Sequence, residues 1–209
     1  MGQILKFPVR ASKFGHKRVP KRCHNEENPA QLHLFAAATA QVLELTSGLS
    51  HFEYALLLDE RGDLRAAEVY LRAIAEEDCV ADAYCNLGII ESKEGRIPKA
   101  FDCFTNSLKH NPRHVEAHYN LGNMYFEVND FRLAQIHYEM AAQVEPLFPN
   151  VHFNLALVLS INSDFVAAIS ALTRYQEMVS PDEGRKADEL LENLKKSLAA
   201  KKDSRVGAK

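Results

Sequence analysis

Apolar positions from residue 48 to 181 follow helical spacing, and the pattern itself recurs. Asn86-Leu87-Gly88 returns as Asn120-Leu121-Gly122 and as Asn154-Leu155-Ala156, each step being 34 residues. Ala100, Ala134 and Ala168 keep that step, as do Tyr84, His118 and His152, and Phe104, Tyr138 and Leu172. Pro112 and Pro146 keep it once more. An earlier copy reads 33 residues out of phase: Tyr54-Ala55 stands for Leu87-Gly88, Ala67 for Ala100, Leu71 for Phe104 and Cys79 for Pro112. Four units result, 48–80, 81–114, 115–148 and 149–181.

Each recurring residue has a physical use. Gly88 and Gly122 let two helices approach closely, and Ala100, Ala134 and Ala168 do the same from the second helix of the unit. Leu71, Phe104, Tyr138 and Leu172 are expected to fill the space between units. Pro112 and Pro146 end one helix and prepare the next. Within units, Gly62-Asp63-Leu64, Asn129-Asp130-Phe131 and Ser163-Asp164-Phe165 place an Asp where it can cap the second helix. Gly95-Arg96-Ile97-Pro98 does the same with a proline at the helix start. Every unit therefore predicts helix–turn–helix.

Two flanking segments carry helical patterns of their own. Leu32, Leu34, Phe35, Ala38, Val42, Leu43 and Leu45 predict a capping helix over 29–46. Ala187, Leu190, Leu191, Leu194 and Leu198 share one face of a second capping helix over 182–202. Such caps cover the apolar faces that terminal repeats leave open. Residues 1–28, a basic tail, and 203–209 are expected to be disordered.

The spacing, and the set aromatic…Leu-Gly…Ala…aromatic…Pro, resembles the tetratricopeptide repeat over 48–181, about two thirds of the chain. Departures are His51, His118 and His152 at the usual leading aromatic, and no terminal Pro at its place in the first and last units; Pro181 comes one residue late. The resemblance implies an all-α, right-handed superhelical solenoid in which the first helix of each unit lines a concave groove. It also implies a protein-binding adaptor or scaffold rather than an enzyme.

Composition sharpens that picture. The chain has 209 residues, sparse Gly and Pro, no Trp, and a net charge of −3. Seven of the 25 Lys and Arg lie in residues 1–22 with no acid, and six lie in 195–209 beside Asp203. The stretch between keeps twelve bases against 27 acids, a net of −15. That acidic body disfavours nucleic acid. No apolar run reaches membrane-spanning or signal-peptide length. Cys23, Cys79, Cys85 and Cys103 form no CxxC pair, so free thiols and a cytoplasmic location are expected.

Given the resemblance, helical periodicity names the groove face. Its candidate partner-binding residues are Phe52 and Leu56; Asn86 and Ile89; Tyr119, Asn120, Asn123 and Phe126; and Phe153, Asn154 and Leu157. Asn86, Asn120 and Asn154 form a ladder similar to that in the repeats of O-GlcNAc transferase. An Asn amide offers a donor and an acceptor, so it can pair with a peptide main chain without reading side chains. The alternative is that these amides simply meet water. Phe52, Ile89, Tyr119, Phe126, Phe153 and Leu157 are expected to make the groove apolar, although some could instead pack between units. Glu53, Asp59, Glu60, Asp82, Glu116 and Glu127 make it acidic against one base, Lys93. Tetratricopeptide repeats that grip a chaperone's C-terminal carboxylate carry bases where this chain has Phe52, Cys85, Tyr119 and Phe153. A basic, apolar, extended segment is therefore the expected ligand. Residues 4–22 are such a segment, and could occupy the groove in cis and compete with a partner. A solvated tail with no fixed contact is the alternative.

Catalytic signals are absent: there is no phosphate loop, GxSxG or HExxH. His114 and His118 could share a metal, but without a clear third ligand a packing role fits His118 better. No metal, cofactor or catalytic residue is expected. A monomer is expected, with self-association left open. The competing functional classes are a nucleic-acid- or ribosome-associated factor touching phosphate through the basic tails, and a membrane-surface assembly factor. An Arg-containing, acid-free N-terminus is also compatible with a mitochondrial transit peptide, although Pro8 and Pro20 interrupt a long helix.

Overall fold

The structure is a computed structural model and describes residues 16–20 and 48–206. Among these residues the regular structure is helical: α1 (His51–Glu60), α2 (Ala66–Ala75), α3 (Val80–Lys93), α4 (Ile97–His110), α5 (Val115–Glu127), α6 (Phe131–Val144), α7 (Pro149–Ile161), α8 (Phe165–Met178) and α9 (Pro181–Val206). Helices pair within units as α1–α2, α3–α4, α5–α6 and α7–α8. The all-α repeat fold expected from the sequence is thus the fold found. Two compact bodies result. One is Arg18–Pro112, with α1–α4; the other joins His16 and Lys17 to 113–206, with α5–α9.

The turns inside the units share one device. Gly62, Gly95, Asn129 and Ser163 all have left-handed φ, at +69°, +75°, +63° and +63°. Each follows the first helix of its unit and closes it in the same way. The Asp63 N–H donates to Leu58 O at 2.9 Å, Arg96 to Glu91 at 2.9 Å, Asp130 to Tyr125 at 2.9 Å and Asp164 to Leu159 at 2.9 Å. This is the Schellman closure, which satisfies carbonyls that a helix end leaves open. Asp130 Oδ1 then accepts from the Leu133 N–H and Asp164 Oδ1 from the Ala167 N–H, both at 3.1 Å, as expected of N-caps. Asp63 differs: its Oδ1 accepts from the Arg65 N–H two residues on, and α2 starts at Ala66. At the front of α1, Ser50 and Glu53 form a reciprocal capping box.

In the Arg18–Pro112 body the core holds Phe52, Ala55, Leu58, Ala66, Val69, Tyr70, Ala73, Ala83 and Leu87. Here the expected register is corrected by one residue. Ala66 and Tyr70 are buried, whereas Leu71 is 54% exposed and Ala67 only partly buried. The residue missing from the first unit therefore lies in the turn between Gly62 and Ala66. The first helix keeps the 33-residue offset to the second unit, while Ala66 and Tyr70 sit 34 residues before Ala100 and Phe104. Burial decided the phase: a tyrosine ring hides more apolar area than Leu71 could at the helix's edge. Gly88 is required here, because a Cβ on it would come 2.8 Å from the Phe104 ring.

In the second body Tyr119, Ala134, Tyr138, Val151, Leu155, Ala156, Leu172 and Tyr175 pack together with Ala187 and Leu194 of α9. Leu190 and Leu191 pack against the same cluster, and α9 lies against α8. The capping helix expected over 29–46 lies outside the described residues. Cys85 and Cys103 form no disulfide, whereas the expectation of free thiols fails at Cys79, which is disulfide-bonded.

Candidate functional site

The asparagines at the repeat positions are wholly buried, and two of them hold main chain from the N-terminal segment. In the first body, Asn86 on α3 faces Val19. The Val19 N–H donates to Asn86 Oδ1 at 2.9 Å, and Asn86 Nδ2 donates to Val19 O at 3.1 Å. Val19 is fully buried, and Arg18 Nε lies 2.8 Å from Asp59 Oδ2 of α1. Burial pushes the Asp59 carboxyl up, while Arg18 and then Lys93 pull it back down. In the second body, Asn120 on α5 does the same for Lys17: the Lys17 N–H donates to Asn120 Oδ1 at 3.1 Å and Asn120 Nδ2 donates to Lys17 O at 3.2 Å. An amide that both donates to and accepts from one residue reproduces half of a sheet ladder on a helix.

The Lys17 ammonium has a built environment in that body. Its Nζ stands 3.6 Å from the Phe148 ring centroid, 3.9 Å from Glu116 Oε1 and 3.8 Å from Glu145 Oε2. Glu116 is wholly buried on α5. His114 Nδ1 approaches it at 3.6 Å and also accepts the Ala117 N–H as the cap of α5. The ammonium places positive charge beside a carboxylate taken out of water.

Asn154 on α7 is the third asparagine of the repeat. Its Nδ2 donates to Asn123 Oδ1 at 3.0 Å, and the Tyr138 hydroxyl donates to the same oxygen at 2.7 Å. Asn154 Oδ1 and Asn123 Nδ2 are buried without a hydrogen-bond partner among the described residues.

The apolar candidates sit mostly in packing. Phe52 is buried with its ring 5.9 Å from that of Tyr70, and Phe153 is buried 5.1 Å from Tyr175. Tyr119 is buried between Phe148, at 4.9 Å, and Tyr138, at 6.2 Å. Ile89 and Leu157 are buried, Leu56 is partly so, and Phe126 packs edge-on against Phe131. The expectation that these rings present an open apolar lining is thus replaced by one of internal packing at the buried ones, because each aromatic finds a ring partner on a neighbouring helix or in the adjoining loop. Glu53, at the ladder position of the first unit, spends its carboxylate on the Ser50 N–H. His118 Nδ1 pairs with His137 Nδ1 at 3.0 Å, a packing role. Burial, and then the charge of His118, holds His137 down at about 4, so it is neutral near pH 7.

Sequence reasoning named Asn86, Asn120, Glu116 and Asp59 but missed Glu145 and Phe148. Those two lie in the loop between α6 and α7, outside the first-helix periodicity that selected the candidates. The tail was expected to be disordered, and its residues 16–20 instead hold these fixed contacts.

Residues 81–114 and 103–136 each match a tetratricopeptide-repeat family. A 115-residue stretch is 29% identical to the BBSome complex member BBS4 of Bos taurus, covering 54% of this chain and 22% of that protein. The chain thus spans about a fifth of the length of that curated relative. Among solved structures, MamA AMB-1 aligns with a TM-score of 0.56 at 21% identity, covering 74% of this chain and 88% of that one. PilF of Pseudomonas aeruginosa aligns with a TM-score of 0.56 at 18% identity, covering 62% and 60%. Tetratricopeptide repeats are thus present in the chain, matched by family models across residues 81–136. Repeats of this family serve protein–protein interaction, and that general role extends to this one. Among the described residues no helix is long and apolar enough to cross a membrane.

Proposed function

We propose that the protein is an interaction scaffold whose Asn86 and Asn120 hold the main chain of an extended, basic and apolar peptide segment from a partner. The carrying observation is the pair of reciprocal amide contacts to Val19 and Lys17. They support the reading, because the chain's own Lys17 and Val19 occupy these two amides in cis. A partner would then have to displace this segment. Asn154 Oδ1 and Asn123 Nδ2 add a buried acceptor and a buried donor, the complement of one further peptide unit. Main-chain pairing supplies affinity without sequence, so selectivity must come from side-chain contacts.

The test uses the full-length chain with Lys17→Ala and Val19→Ala, which weaken the cis contact. A fluorescent peptide of residues 12–22 is titrated by anisotropy. Binding is expected, and adding Asn86→Ala with Asn120→Ala should weaken it by at least about tenfold, since each rung contributes two hydrogen bonds of about 1 kcal/mol. Unchanged affinity in the asparagine variants would remove the ladder from the mechanism.

A further inference from the structure

From the surroundings of Lys17 we infer that the α5–α9 body carries a lysine-selective subsite, and that the partner segment presents a lysine there. This rests on the proposed peptide-binding reading and adds the side chain that the subsite recognises. Three groups converge on one point: Glu116 from α5, Glu145 from the end of α6 and the ring of Phe148 ahead of α7. Two carboxylates and an aromatic face suit a compact ammonium, which is a point charge with donors in several directions. A guanidinium is planar and wide, and prefers edge-on pairing with a single carboxylate. Here each carboxylate offers one oxygen, Glu116 Oε1 and Glu145 Oε2, from a different element.

Burial makes the subsite selective rather than merely acidic. The Glu116 side chain is wholly buried and that of Lys17 is 32% exposed. An occupant lacking positive charge would remove one of the charges that offset this buried carboxylate, which is unfavourable. The Asn120 rung fixes the main chain of the same residue, so the side chain is delivered in register. Main chain and ammonium are therefore read together, at one residue of the ligand. The same geometry makes Lys17 the feature that a competing lysine must replace.

The experiment separates the two levels. The full-length Lys17→Ala chain is titrated with the peptide of residues 12–22, carrying lysine, arginine, norleucine or acetyl-lysine at position 17. Norleucine and acetyl-lysine are expected to bind at least about tenfold more weakly than lysine, and arginine about threefold more weakly. Glu145→Gln, at a half-exposed position, should shrink the lysine-over-norleucine ratio about threefold even if Glu116→Gln fails to fold. Equal affinity for all four peptides, with binding still lost in Asn120→Ala, overturns the lysine subsite and leaves the peptide-binding reading intact. No binding by any peptide overturns both. Wild-type dimerisation in sedimentation that disappears in Lys17→Ala would make the occupant a second copy and overturn the assignment to a partner.

Discussion

Gly95 has φ +75° and open space where a side chain would start, since nothing lies within 4 Å of an added Cβ. Its need is therefore backbone conformation alone. Gly95→Ala is expected to cost about 1–2 kcal/mol in urea unfolding, the penalty of a left-handed L-residue. Gly95→Asn should cost only a few tenths, because Asn129 occupies the equivalent left-handed position at φ +63° and asparagine tolerates it. Equal losses for the two variants would contradict a purely conformational role. At this scale much was legible. Asn86 and Asn120 stood out by recurrence alone. The aromatic candidates did not sort themselves, because periodicity identifies a helix face but not whether a neighbouring ring covers it. Glu145 and Phe148 were invisible for a related reason: a loop has no period to read.

Pairs of helices obey a second constraint. An added Cβ at Gly122 would stand 2.6 Å from the Tyr138 ring, closer than the 2.8 Å at Gly88 and Phe104. The Tyr138 hydroxyl is tied to Asn123, so its ring has little freedom to yield. Gly122→Ala should therefore destabilise by about 2–3 kcal/mol, and Gly88→Ala by less, as overpacking does. The urea midpoint of each variant checks the order; a larger loss at Gly88 would contradict it. The fourth unit uses Ala156 at this position, where the paired large residue is Leu172 in place of a ring. Helix number, pairing and turn positions could all be read from the 34-residue step. The phase of α2 could not. Ala66-Ala67 and Tyr70-Leu71 offer two adjacent solutions of nearly equal apolar character, and a one-residue shortening of the turn decides between them.

For the molecule as a whole, charge and main-chain chemistry point the same way. The basic residues before position 23 and the acidic stretch after it are complementary in sequence, and the contacts of Lys17 and Arg18 give that complementarity atoms. Charge asymmetry announced that the N-terminal segment could contact the repeats, but not which residues would. Seven bases compete on equal terms in the sequence, and the amide contacts of Asn120 to Lys17 and of Asn86 to Val19 occur once each, with no recurrence to announce them. The fold was legible nearly in full because repetition multiplies a weak signal, whereas the ligand register occurs once.

The central claim is that the asparagine amides hold peptide main chain, and amide hydrogen exchange at Lys17 and Val19 in the full-length protein measures this directly. Both N–H groups are expected to exchange at least about tenfold more slowly than an open chain. Asn86→Ala should release Val19, and Asn120→Ala should release Lys17. Open-chain exchange at both residues in the wild type, or protection indifferent to both substitutions, would contradict the account.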